Sequence, residues 1–328
     1  MNGHEFIGWR GAREGVKMTR LLSKAFLLAC AAVVALNADA ADGLVPVGLL
    51  ASSAPAGKKD AEILKSFRRK ELKVTSLPKS VRVVEWTRKK GAPGLAWSVR
   101  FDLKDPKLRL TTRLGLTNDR SVTNRVATLD EMAATLDAEG RRPIVGINGN
   151  YFDAKGSQIN VYGPVVSDGK VLIHGGGNLL VETEDHALTL GKASIGGKPV
   201  ASNGKKIVNA TGFYMEPTIR YDHGEYKTTD NPTYPRSLIG VGDGLLVFLV
   251  SDGRQPTWSA GIDDRQAIDM LVAEGCHTVA ESDGGGSASM WIRDLPKKLT
   301  PRDKNYINRP SDGQPRRLGE GVFVTYEK

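Results

Sequence analysis

"GIDDRQAIDMLVAEGCHTVAESDGGGSASMW", Gly261 to Trp291, places a helix, a buried strand and a glycine turn in direct succession. Ile262, Ile268, Leu271 and Val272 recur at helical spacing, acids gather near the start, and Gly275 ends the pattern. Thr278, Val279 and Ala280 form an apolar run too short for a helix, and they read as a buried strand. Asp283 therefore falls at a strand's end. The glycines at 284, 285 and 286 contribute no side-chain packing and cost backbone entropy. Such residues are expected where φ must be positive or where a ligand approaches the backbone. A bare turn capped by Asp283 and a ligand-facing loop both fit this stretch.

The same layout occurs earlier. "TLDEMAATLDAEG", Thr128 to Gly140, puts Leu129, Met132, Ala133 and Leu136 on one helical face. The buried strand "PIVGIN" follows and runs into "INGNYFD". Around these lie alternating segments such as "VRVVEW", "AWSVRFDL" and "LRLTTRLG", and an apolar hairpin, "SLIGVGDGLLVFLVSDG", with a glycine-bearing turn. The pattern predicts an α+β (mixed α/β) fold, with mixed β-sheets and a few helices. Two buried strands that deliver polar loops to one edge would form one active-site crevice.

The N-terminal region differs. A cationic stretch with Arg20 and Lys24 precedes the apolar run Ala25 to Leu36, and small residues stand at Ala38 and Ala40. This is the layout of a Sec-type signal peptide, so the mature chain is expected to begin near Ala41 and to be secreted or periplasmic. Either Met1 or Met18 can serve as the start. "LLAC" at Leu27 to Cys30 has a lipoprotein look, but the apolar run continues for six residues beyond Cys30. Loss of the signal would leave Cys276 alone, so neither a disulfide nor a structural zinc site is expected.

The formal charge of +9 is unevenly spread. Residues 58–90 hold twelve basic and four acidic groups, whereas residues 91–328 hold 29 of each. The large C-terminal region is neutral, which argues against a nucleic-acid partner. "KKDAEILKSFRRKELK" reads as a solvated charged segment with a short helix over 61–74. The chain accordingly divides into a signal peptide (1–40), a linker and basic lead (41–79) and a catalytic domain (80–328). No stable membrane insertion is expected once the signal is removed.

Several polar groups stand at strand ends. Asn148 and Asn150 can each donate and accept, which suits sugar hydroxyl and amide groups, and Tyr151 can stack on a sugar ring. An asparagine-rich turn that bonds its own backbone is the alternative. Arg236, after Pro232 and Pro235, offers a fixed fork for phosphate or carboxylate, with a salt bridge as the other reading. The N–H groups of Gly284, Gly285 and Gly286, with Ser287, can form an anion-binding nest. No P-loop, G-x-S-x-G, H-E-x-x-H or G-x-G-x-x-G motif is present, and no motif calls for a metal or cofactor. His174 is the one histidine in a glycine-rich setting. Asp283, Glu281 and Asp153 are the candidate catalytic residues, because acid/base work at a glycosidic bond needs carboxyl groups held in place.

"GINGNYFD", "GPVVSDGKV", "PRSLIGVGDGLLVFLVSDG", the opening stretch and "NRPSDGQPRRLGEGVFV" together resemble the phosphodiester glycosidase family, over about Ile144 to Val324. Each motif is short, but five in this order are specific. The resemblance implies hydrolysis of an α-linked (amino) sugar from a phosphodiester, with Asn148, Arg236, Asp283 and Gly284 to Gly286 on the family's motif positions. The family's "N-L-D-G-G-G-S" is here Glu281-Ser282-Asp283 and onward, so an acid replaces an amide. That change admits a cell-envelope or exopolysaccharide substrate. A non-catalytic polysaccharide-binding protein of the same fold is the rival reading.

Overall fold

The structure is a computed structural model that describes residues 59–118, 126–155, 158–214, 217–228, 232–301 and 305–327. The signal peptide, its cleavage site and linker residues 41–58 lie outside the described residues.

In chain order the elements are α1 (Lys59–Ser66), β1 (Phe67–Leu72), β2 (Val81–Arg88), β3 (Leu95–Asp102), β4 (Leu108–Leu114), α2 (Leu129–Ala138), β5 (Pro143–Asn148), β6 (Phe152–Lys155), β7 (Gln158–Val161), β8 (Val165–Ser167), β9 (Lys170–Ile173), β10 (Gly175–Thr183) and β11 (Leu188–Ile195). They continue as β12 (Ile207–Phe213), β13 (Ile219–Asp222), β14 (Glu225–Tyr226), β15 (Arg236–Gly242), β16 (Leu245–Ser251), α3 (Asp264–Ala273), β17 (Thr278–Glu281), β18 (Met290–Ile292) and β19 (Glu320–Tyr326).

One sheet runs in the order β1-β2-β3-β16-β15-β17-β13-β14, a second β18-β5-β19-β4, and a third β11-β10-β12-β8-β9, beside the hairpin β6-β7. The described ladders are antiparallel, which corrects the expectation of mixed sheets. Strand alternation then builds the layers. Val99, Phe101, Ile239 and Phe248 of the eight-stranded sheet meet Val145, Ile147, Val322 and Val324 of the four-stranded sheet in one core. On the outer face of the first sheet, Leu238, Val247 and Val279 pack with Ile268 and Leu271 of α3. On the outer face of the second, Trp291 and Phe323 pack with Met132 and Leu136 of α2. The α+β class stands as a helix-sheet-sheet-helix sandwich. Among the described residues no helix is long and apolar enough to cross a membrane.

Both long helices begin with reciprocal caps. Thr128 accepts from the Glu131 N–H while Glu131 accepts from the Thr128 N–H, and Asp263 and Gln266 do the same for α3. The inward residues of both are those that the sequence periodicity indicates. The basic lead is different. The helix stops at Ser66, where the chain turns into an edge strand that buries Phe67 and Leu72 and exposes Arg68, Arg69, Lys70 and Glu71 between them. Charged residues protect such an edge from further pairing. The expected boundary near residue 80 is therefore not structural, since α1 and β1 belong to the sandwich.

Candidate active site

β5 and β17 belong to different sheets, and their ends meet where the two sheets converge. The Asp283 N–H donates to the Gly149 carbonyl at 3.2 Å, and Ser282 Oγ donates to the Asn148 carbonyl at 2.9 Å. The fully buried Asn148 amide is the clamp. Its Nδ2 donates to the Asp283 carbonyl at 2.6 Å, and its Oδ1 accepts from Ser237 Oγ at 2.6 Å and from the Ser289 N–H at 3.1 Å. Asn148 thus positions the loop, with its amide groups turned to protein rather than outward as a sugar would need.

Asp283 itself is partly buried, and that burial pushes its carboxyl above the usual range. A hydrogen bond with Ser287, the charge of Arg316 and the Gly284 N–H oppose that rise. Gly285 to Ser287 then form a single 3-10 turn. The glycines are explained by what closes on them. Gly285 has φ +63°, and a Cβ there would lie 3.1 Å from Arg254 Nη1. Gly286 packs directly against Arg316 and Asp312. The expected nest of N–H groups is in part used within the protein: Gly285 donates to the Pro235 carbonyl at 2.9 Å, and Gly284 serves Asp283. Two arginines lie over the turn: Arg254, which is exposed, and Arg316, which is ion-paired with Asp312 at 2.6 Å and whose Nη1 also reaches Ser287 Oγ at 3.3 Å. Neither arginine is marked out by the sequence pattern, because both lie in polar loops far from the turn.

Arg236 and Glu281 depart most from expectation. Both project from the outer face of the first sheet, beneath the start of α3, and are buried. Arg236 donates to the carbonyls of Ile262 and Pro232, to Tyr234 Oη and to Glu281 Oε1 at 2.8 Å, and it is ion-paired with Asp264. Arg220 Nη2 completes the cluster at 2.5 Å from Glu281 Oε2. Two guanidinium groups and two carboxylates balance in this buried quartet. Arg236 is therefore not an open anion clamp, and Glu281 is not a free acid. The acid that replaces the family's amide is answered by arginine, not directed outward. The quartet instead fixes Tyr234 and Pro235, and the latter holds the glycine turn.

Asn150 is also buried, with its Oδ1 on the Tyr151 N–H at 2.9 Å, and Tyr151 is exposed. Asp153 stands on the β6-β7 hairpin opposite Asn160. A residue outside the sequence candidates, Glu320 at the start of β19, underlies the Asn150 turn. Its Oε2 accepts from the Asn150 N–H at 3.0 Å, and a Cβ on Gly149 would fall 2.7 Å from it. Full burial raises its carboxyl to about 7. The folded protein then binds that proton more tightly than the unfolded chain. Stability contributed by the protonated form is lost as pH rises from the ordinary glutamate value of about 4.3 through about 7. Thermal melts of Glu320→Gln should lie above the unsubstituted protein at pH 8 and converge with it near pH 4. A constant offset at both pH values would show that this burial does not set the pH dependence.

A cavity of about 200 Å³ lies elsewhere, lined by Leu103, Pro106, Arg109 and Glu182 among others. It contains none of the groups above. The junction is the better site, because it gathers a desolvated carboxyl, two arginines and exposed tyrosine in one place. Among the described residues no cluster of acids, histidines or cysteine is arranged to hold a metal.

The two-sheet sandwich thus presents a carboxyl, arginines and an exposed tyrosine at converging strand ends. Residues 141–325, more than half of the chain, match the phosphodiester glycosidase family model, and the chain belongs to that family. Its fold is similar to zebrafish N-acetylglucosamine-1-phosphodiester alpha-N-acetylglucosaminidase, a catalytic domain auto-inhibited by its pro-peptide. That match has a TM-score of 0.54 and 16% identity, and covers 80% of this chain and 89% of the other. A hypothetical protein from Synechocystis matches at a TM-score of 0.48 and 12% identity, over 80% of this chain and 68% of the other. No curated protein sequence matches the chain.

Proposed function

We propose that the protein is a secreted glycoside hydrolase that cleaves an α-linked amino sugar from a phosphodiester or a cell-envelope glycan. The observation that carries this reading is the partly buried Asp283 carboxyl, which bonds Ser287 and faces the charge of Arg316, on a loop whose backbone Asn148 holds and whose glycine turn Arg254 covers. In its ionised form Asp283 activates water for attack at the anomeric carbon or attacks it directly. A phosphate leaving group needs little protonation, so the remaining demand is for positive charge, which Arg254 and Arg316 supply. With Glu281 held in the buried quartet, Asp153 on the β6-β7 hairpin is the proposed acid for a leaving group of higher pKa. No step in this scheme calls for a cofactor.

The test is sugar release from a panel of chromogenic α-glycosides and sugar-1-phosphodiesters. Release from the phosphodiesters supports the reading, and binding without release from any member would favour the polysaccharide-binding rival. Export belongs to the same proposal. Intact mass of the protein from its native host should give an N-terminus near Ala41, and a mature chain that retains residues 18–40 would contradict it.

A further inference from the structure

Three tyrosines stand where the Asn150 turn leaves the junction. Tyr151 and Tyr214 are 42% and 52% exposed, and with Leu64 they are the large hydrophobic side chains exposed among the described residues. Tyr162 joins them from the end of β7, and its N–H donates to the Tyr151 carbonyl at 2.9 Å. Ring centroids are 4.7 Å apart for Tyr162 and Tyr214 and 5.6 Å for Tyr151 and Tyr162. Tyr151 and Tyr214 are 6.5 Å apart and within 20° of parallel. Tyr151 and Tyr162 flank the β6-β7 hairpin, and Tyr214 joins them from the end of β12. They also adjoin the carboxyl loop. Tyr151 is two residues from Gly149, whose carbonyl receives the Asp283 N–H, and two residues span at most about 7 Å.

We infer that Tyr151, Tyr162 and Tyr214 form a subsite for a pyranose ring that neighbours the sugar cleaved at Asp283. The substrate is then an oligosaccharide or glycan chain, not a single sugar with a small leaving group. A pyranose presents an apolar C–H face that packs on an aromatic ring, while tyrosine hydroxyls at the rim meet its hydroxyl groups. A phosphate finds nothing comparable here, and the arginines on the glycine turn serve it instead. The assignment of the neighbouring ring rests on the proposed hydrolase reading, which identifies Asp283 as the point of cleavage.

The experiment uses the full chain carrying Asp283→Asn, so that no ligand is consumed. Calorimetric titration compares a tetrasaccharide of α-linked N-acetylglucosamine with methyl α-N-acetylglucosaminide. The tetrasaccharide should bind about ten-fold tighter, and adding Tyr214→Ala should remove about that factor while leaving the monosaccharide unaffected. Tyr214→Phe, which keeps the ring, should retain most of the advantage. Equal affinity for the two ligands, or equal loss for both on Tyr214→Ala, would overturn the subsite. The hydrolase reading fails differently: tyrosine-dependent tetrasaccharide binding, with no sugar released by the unsubstituted protein, would keep the subsite and discard the cleavage.

Discussion

Asp283→Asn should leave the protein folded and able to bind sugar while turnover falls by about 100- to 10,000-fold, the usual contribution of one positioned acid or base. The substitution keeps the size of the side chain and an oxygen for Ser287 and the Gly284 N–H, so the loop geometry survives. What it removes is the charge. Because burial raises the Asp283 carboxyl, its ionised form is disfavoured in the folded protein, and an amide should hold or increase the melting temperature at neutral pH. Sugar release and a thermal melt on the same preparation separate the two effects. A melting temperature unchanged or raised, together with lost turnover, supports Asp283 as the reacting carboxyl. Full turnover in a well-folded Asp283→Asn protein would remove that role.

The second large effect concerns the buried arginine. Arg236→Ala should destabilise the fold by about 3–5 kcal/mol, because it removes one of the two guanidinium groups that face the buried Glu281 and Asp264. For a domain of this size that corresponds to a fall in melting temperature of roughly 6–20 °C. Arg254→Ala, at an exposed position beside Gly285, should leave the melting temperature nearly unchanged and weaken affinity for a phosphodiester. The pair of variants therefore separates an arginine that holds the fold from one that meets the ligand. Retained stability in Arg236→Ala with lost phosphodiester affinity would reverse the two assignments.

The misassignment of Arg236 has a simple physical origin. β15 is buried on both faces, so its sequence shows no alternation to reveal where position 236 points. The parity becomes visible only once Leu238 is seen against α3 and Ile239 against the second sheet. α2 and α3 were legible because a one-sided helix shows its period in the chain. "PIVGIN" and the β15-β16 hairpin were legible because apolar runs bounded by turns have few other fates. β1 was not, because four charged residues between Phe67 and Leu72 follow neither period. At the site, Asp283 and its glycines could be read from composition. Arg254, Arg316 and Tyr214 could not, since they join it only through long-range contacts. Glu320 did leave a trace, as a lone acid at the head of the apolar strand "EGVFVTY".

The central claim is cleavage at the anomeric carbon, and hydrolysis of an N-acetylglucosamine-1-phosphodiester in ¹⁸O-labelled water tests it most directly. Attack guided by Asp283 breaks the bond between the sugar carbon and oxygen, so the label should appear in the released sugar and the phosphomonoester should remain unlabelled. Label in the phosphate, which marks attack at phosphorus, would contradict the account.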